Sequence, residues 1–280
     1  HQEESGSNKR PLCLALFGPP GSGKSFAVRA INDAINESLS NKGSLDIRVL
    51  PAYNLGQYTS VDGLDDAFSD IQTEINDVQA RKAGKSVVPI AFFDEFDSSF
   101  DKQEFGWLKF FLAPMEDGAF GKHKVQNAIL VFAGGTRHTF DEFSLANRPQ
   151  TDQQWIQFSK AKGPDFASRL AGHLDIVGIN STGVEDELFM IRRSLLIRSM
   201  LSEFQGLKEG DEAHIDDKIT KALLKVPYFR NGGRSVRMLL ELCLDQTNCV
   251  SASEIPPIHQ LNMHVEGKAF LDLLHERKGD

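Results

Sequence analysis

Residues 17–25 read FGPPGSGKS and close the apolar run LCLALF at 12–17. Gly18, Pro19, Pro20, Gly21, Ser22, Gly23, Lys24 and Ser25 together fit the pattern G-x-x-x-x-G-K-[ST]. Glycines let a short loop turn its N–H groups inward, making a concave nest for anionic oxygens. The helix predicted to start near Lys24 adds the positive end of its dipole at the same spot. Lys24 suits the β- and γ-phosphates as a point charge, and the Ser25 hydroxyl is a hard oxygen suited to Mg²⁺. The context agrees. LCLALF reads as a buried strand, and FAVRAINDAINESL has helical apolar spacing at Ala27, Ile31, Ala34 and Ile35. The segment Gly18 to Phe26 is therefore the candidate nucleotide-binding stretch; the plainer reading is a glycine-rich turn between strand and helix.

A second signal stands about 70 residues downstream. IAFFDEFD places Asp94 and Glu95 directly after an apolar strand. In open α/β sheets ligands sit beyond the carboxyl ends of the strands, so both acids are expected to face the phosphate loop. There Asp94 holds Mg²⁺, usually through water, and Glu95 orients an attacking water as general base. The plainer reading is an acidic turn on the surface.

The rest of the chain sets the frame. Its 280 residues suit one large domain, or one large and one small, and the 40% apolar fraction supports a core. Strand-like runs at 45–55, 86–97, 127–136 and 173–180 alternate with a helical run at 61–83 and another at 104–115 that is helical until Pro114. Apolar strands alternating with helices predict a parallel sheet covered on both faces. After residue 183 only amphipathic helical runs follow. The net charge of −8 argues against a surface dedicated to nucleic acid. Three scattered cysteines, Cys13, Cys243 and Cys249, show no metal spacing and fit a reducing, cytoplasmic setting. The eight histidines are dispersed, and no apolar run is long enough to span a membrane.

Phosphate loop, then hhhhDE, then a small helical domain: this order resembles the AAA+ ATPases over about residues 11–250, with motifs similar to the Clp-type unfoldases. The resemblance implies a P-loop NTPase α/β fold, a parallel sheet with helices on both faces, followed by a small all-α lid domain. It divides the chain into a tag or linker remnant at 1–10, a large ATPase domain at 11–183 and a helical lid at 184–280. ATP and Mg²⁺ are the implied cofactors. Thr136, ending NAILVFAGGT, takes the place of the polar residue that helps position the lytic water. GPDFASRLAGHLDIVGI at 163–179 resembles the segment whose arginine reaches a neighbouring subunit's nucleotide, which makes Arg169 the arginine finger; the alternative is a structural ion pair with Asp165 or Asp175. NGGRSVRMLLE at 231–241 resembles the motif whose arginine senses the γ-phosphate, with Arg234 the better match and Arg237 the fallback. The implied assembly is a ring or helical homo-oligomer, commonly a hexamer. The implied partner is a protein being remodelled, with no nucleic acid and no membrane. A nucleotide-gated switch or scaffold, with effector domains outside this segment, is the other reading.

Three further places carry expectations. Tyr58 stands where threading members of the family carry a pore aromatic, or else packs on the following helix. MEDGAFGKHKV at 115–125 stands where Clp-like proteins carry a hairpin, with Phe120, Lys122, His123 and Lys124 at its tip. The long segment 138–163 carries Phe140, Phe143, Trp155 and Phe158, which either face a partner or dock a helix on the sheet. The family's adenine pocket uses a segment well before the phosphate loop, and only residues 1–17 precede Gly18 here.

Overall fold

LCLALF, SVVPIAFFD and ILVFA are apolar without alternation, as strands covered on both faces must be. The computed structural model, which describes residues 10–39, 45–208 and 210–276, makes them the centre of a sheet. The chain forms two units, residues 1–18 with 24–176, and residues 19–23 with 177–280. Apart from Arg10, the expected remnant at 1–10 lies outside the described residues.

In chain order the first unit holds β1 (Leu12–Phe17), α1 (Lys24–Leu39), β2 (Leu45–Val49), β3 (Tyr53–Asn54), a 3₁₀ turn (Leu55–Gln57), α2 (Asp62–Ile75), α3 (Val78–Lys82), β4 (Ser86–Asp94) and α4 (Leu108–Asp117). Then come β5 (Ala119–Phe120), β6 (His123–Lys124), β7 (Ile129–Ala133), α5 (Phe140–Ser144), α6 (Gln153–Lys160), α7 (Gly163–Ala167) and β8 (Gly172–Asp175). The main sheet runs β2-β4-β7-β1-β8, all parallel, and β3 continues the line of β2 along β4. Side chains alternate between its faces. Cys13, Ala15, Phe17, Phe93, Leu130 and Phe132 enter one core with α2, α4 and α7. Leu16, Ile90, Phe92, Val131 and Ala133 enter the other with Val28 of α1. The first core is aromatic: Phe132 stacks on Phe93 at 5.7 Å and meets Phe111 and Phe166 edge-on at 5.0 and 4.9 Å. Cys13 is enclosed there, and burial pushes its thiol up to about 12.

Two elements differ from the sequence expectation. The helical run 61–83 is two helices, because the Asp77 carboxylate accepts the Ala80 N–H at 3.3 Å and starts α3 afresh. Helix α4 passes through Pro114 rather than ending there. It stops at Gly118, whose left-handed φ of 65° turns its N–H back to the Pro114 carbonyl at 3.0 Å.

The second unit is helical, with α8 (Phe189–Gln205), α9 (Asp217–Lys225), α10 (Gly233–Leu242), a 3₁₀ turn (Ala252–Glu254), α11 (Ile258–Leu261) and α12 (Gly267–His275). Leu196, Ile197, Leu223, Val236, Leu240 and Phe270 are among the residues of its core. Arg193 of α8 lies fully buried in it. Its guanidinium donates to the carbonyls of Ile179, Leu224 and Val226 at 2.6–2.9 Å and sits over the Phe189 and Phe229 rings. Burial first, and Arg192 second, lower its pKa to about 10. This cation therefore ties the end of α9 to α8 through main-chain oxygens.

Candidate nucleotide-binding site

The strand register collects the candidate residues at one edge of the sheet. Leu16 pairs with Ala133, Ala133 with Asp94, and Asp94 with Asn54, a single row across four strands. One residue past that row, or two, the chain enters the phosphate loop at Gly18, the acidic turn at Glu95, the segment Gly134–Thr136 and the 3₁₀ turn. Parallel strands present all their carboxyl ends on one side, so Gly18, Glu95, Gly134–Thr136 and the 3₁₀ turn lie along one edge of the sheet.

The loop is tight. Ser22 N–H donates to the Pro19 carbonyl at 3.0 Å, and Gly21 and Gly23 take φ of 74° and 93°, which side chains rarely adopt. Lys24 opens α1 and its Nζ donates to the Gly18 carbonyl at 2.7 Å. No acidic residue occupies the first turn of α1, so nothing there competes with an anion for its amides. Within the second unit, the loop meets the start of α10. Gly233 N–H donates to the Gly21 carbonyl at 2.9 Å, and a Cβ on Gly21 would fall 2.5 Å from the Asn231 carbonyl. Arg234, the next residue, is exposed. Arg237 is engaged elsewhere, paired with Glu203 and Glu241 and laid over Phe204, so the fallback position serves packing of the helices.

Asp94 Oδ1 accepts the Glu95 N–H at 3.1 Å, and Glu95 adopts a positive φ of 55° that turns the chain sharply at the end of β4. Asp94 and Ser25 offer one carboxylate and one hydroxyl. Among the described residues no cluster of three or more His, Cys, Asp or Glu could hold a metal by itself. That donor set suits a cation that keeps several waters and completes its shell with phosphate oxygens, as Mg²⁺ does.

Sequence reasoning stopped at Glu95 and missed Asp97. This carboxylate is 3% exposed and accepts four hydrogen bonds: from Gly135 N–H at 2.8 Å, Thr136 N–H at 2.9 Å, Thr136 hydroxyl at 2.6 Å and Arg137 N–H at 3.0 Å. It pins the segment after β7 against the end of β4. The Thr136 proton therefore points to Asp97, and the hydroxyl is left to act as an acceptor. The available signal was a third acid in FDEFD, two residues beyond Glu95.

Arg169 lies at the other end of the sheet. It precedes β8, and Ala171, just before that strand, donates its N–H to the Cys13 carbonyl near the start of β1. Its Nη1 donates to the Asp165 carbonyl at 2.6 Å, and its Nε lies 3.3 Å from Glu116 Oε2, which also pairs with Arg10. The partners within this chain are thus Glu116 and a main-chain oxygen, rather than the carboxylates of Asp165 or Asp175. The Asp165 carboxylate lies 3.7 Å from Lys162 and that of Asp175 accepts the Phe140 N–H.

The three further places turn inward. The Tyr58 ring lies against Gly63 of α2, where a Cβ would come within 2.9 Å of it, and meets Trp107 edge-on at 6.2 Å. Burial, then Asp66 and Asp70, raise its pKa. In the β5–β6 hairpin, Phe120 stacks on Phe68 at 4.5 Å. His123 is buried between Asp65 and Gln72, which leaves Lys122 and Lys124 exposed. Phe143 and Phe158 are fully buried and Phe140 stacks on His173, so the 138–163 segment docks on the sheet through its own aromatics.

No curated protein sequence matches the chain. An ORC2 protein from Aeropyrum pernix, solved as ADPNP–ADP complexes, superposes with a TM-score of 0.47 at 11% identity, over 98% of this chain and 64% of that one. A RuvB mutant from Thermotoga maritima gives 0.46 at 14% identity over 94% and 62%, and NtrX from Brucella abortus with ADP gives 0.43 at 13% over 89% and 50%. The chain spans less than two thirds of the length of each. The model of the ATPase family associated with various cellular activities, AAA, matches residues 14–152, just under half of the chain. Residues 14–152, the segment that matches the AAA family model, hold Lys24, Ser25, Asp94, Glu95 and Thr136.

Proposed function

We propose that this chain binds and hydrolyses ATP with Mg²⁺, as an oligomeric AAA+ module that converts hydrolysis into a conformational change acting on a protein. The observation that carries this reading is the row Leu16–Ala133–Asp94–Asn54, which delivers a phosphate loop, two acids and a hydroxyl to one edge of the sheet. Lys24 and the loop amides bind the β- and γ-phosphates. Ser25 and Asp94 would hold Mg²⁺, which when bound neutralises charge on the phosphate oxygens. Glu95 orients a water toward the γ-phosphorus and takes its proton. The water oxygen bonds to phosphorus as the bond to the β,γ-bridging oxygen breaks, giving ADP and phosphate. Thr136 contributes an acceptor for that water, and Arg234 reads the γ-phosphate.

Arg169 is read as acting on a neighbour's nucleotide. β1 is about 20 Å long, with the phosphate loop after its end and Arg169 beside its start. One side chain does not cover that span, so its phosphate belongs to another copy, in a ring or helical assembly such as a hexamer. The acidic balance favours a protein over a nucleic-acid partner.

One observation favours the second reading, a nucleotide-gated switch or scaffold: Tyr58 is packed on α2 rather than presented by its loop. The test of the main reading is ATP turnover across protein concentration for wild type, Glu95→Gln and Arg169→Ala. Specific activity that climbs with concentration, and is lost in both variants, supports the trans-acting assembly. Flat activity, or an Arg169→Ala protein as fast as wild type, makes Arg169 structural.

A further inference from the structure

Glu95 is walled by two glycines that come from other stretches of the chain. A Cβ built on Gly56, in the 3₁₀ turn after β3, would lie 1.9 Å from Glu95 Oε2 and 3.2 Å from its Cδ. On the other wall, a Cβ on Gly135 would lie 3.0 Å from Glu95 Cγ. Neither glycine has a positive φ. Neither position therefore needs glycine for its backbone, and alanine is conformationally allowed at both. What a methyl at position 56 meets first is the Glu95 carboxylate, with the Asn54 side-chain oxygen next at 3.1 Å. Both walls are also fixed. Gly56 N–H donates to Asn54 Oδ1 at 2.9 Å, in the same row of the sheet as Asp94, and Gly135 N–H donates to Asp97 at 2.8 Å.

We propose that Gly56 is a positioning residue for Glu95, leaving open the volume in which the carboxylate must lie to face the water, with Gly135 as the opposing wall. The inference rests on Glu95 being the general base. The clash at position 56 is with the far end of a flexible side chain, so the fold yields at the carboxylate and not at the backbone. Gly56→Ala should therefore leave the phosphate loop and the stability of the unit intact while displacing the carboxylate. A displacement of about 1 Å at a reacting group is worth up to roughly 100-fold in rate.

The experiment measures kcat, KM for ATP and thermal midpoint for wild type, Gly56→Ala, Glu95→Gln, Glu95→Asp and the double variant Gly56→Ala/Glu95→Asp. The expected result for Gly56→Ala is a kcat about 10- to 100-fold lower with KM and midpoint held. Aspartate is one methylene shorter and withdraws from the added methyl. In the Glu95→Asp background the alanine should then cost less than about 3-fold, a non-additivity that a purely structural role does not produce. If Glu95→Gln abolishes turnover but Gly56→Ala stays within about 2-fold of wild type, the proposal fails and the general base stands. If Glu95→Gln turns over as wild type does, the reading of Glu95 itself fails. Equal losses from the alanine in both backgrounds, with a lowered midpoint, make Gly56 structural and overturn the proposal. Where wild-type turnover is too slow to resolve, a crystal structure of Gly56→Ala decides: a displaced carboxylate supports the proposal, and an unmoved one overturns it.

Discussion

Asp97 is a buried carboxyl group, a placement that costs several kcal/mol unless the group is fully hydrogen-bonded. Here four donors meet it, three of them consecutive main-chain amides, so the segment 135–137 is wrapped around one carboxylate. Removing that acceptor strands three amides, each worth about 1–3 kcal/mol when left unsatisfied, though not additively. Asp97→Ala should lower unfolding stability by roughly 2–4 kcal/mol in a urea titration. It should also lower turnover, because Gly135 and Thr136 both depend on this anchor. A loss under about 0.5 kcal/mol would mean that the segment holds its shape without the carboxylate. At this scale, what the sequence reveals follows covalent distance. Lys24, Ser25, Asp94 and Glu95 belong to short motifs whose residues are close in the chain, so their spacing can be read. Asp97, Gly56 and Gly135 gain their meaning from the pairing of β3 with β4 and of β4 with β7. That register is a tertiary property no local pattern encodes.

The order of elements was legible because strand and helix periods differ, and the apolar runs LCLALF, SVVPIAFFD and ILVFA have no other home than a doubly covered sheet. Boundaries were less so. Pro114 suggested an end to α4, but packing of Phe111, Pro114 and Met115 in the interior holds the helix through it. Side-chain direction was the least legible. Phe120 and His123, expected at a hairpin tip, are turned inward by stacking on Phe68 and by Asp65 of α2, and Phe158 takes the docked of its two readings. Tyr58 is the instructive case, since its ring closes the junction between the 3₁₀ turn and α2. Tyr58→Ala should lower stability by about 1–3 kcal/mol, read as a fall in thermal midpoint. Tyr58→Phe should keep most of it, because the ring and not the hydroxyl makes these contacts. A midpoint unchanged in Tyr58→Ala would show that the ring is free in solution and would restore it as a gripping residue. Gly56, Gln57, Thr59 and Ser60 are exposed in this loop, so any direct contact with a partner falls first to them.

For the whole molecule, the composition bounded the size and charge, and the family match covers the segment holding the loop and the acids. Among the described residues no helix is long and apolar enough to cross a membrane. The opposed placement of the phosphate loop and Arg169, after one end of β1 and beside the other, has a genetic consequence. If Arg169 serves a neighbour, each protomer is polar, giving with one edge and receiving with the other, and its contacts are head-to-tail. Two separately inactive proteins should then complement each other. Arg169→Ala keeps a sound receiving edge, and Glu95→Gln keeps a sound giving edge. Mixed in equal amounts, they should regain about one quarter of wild-type turnover, the share of junctions in which the intact edges meet. A chain that completed its site alone would give a mixture as silent as its parts. In a cell carrying both alleles, the first variant would silence the next protomer rather than itself, so its defect would be inherited as a fault in its neighbour.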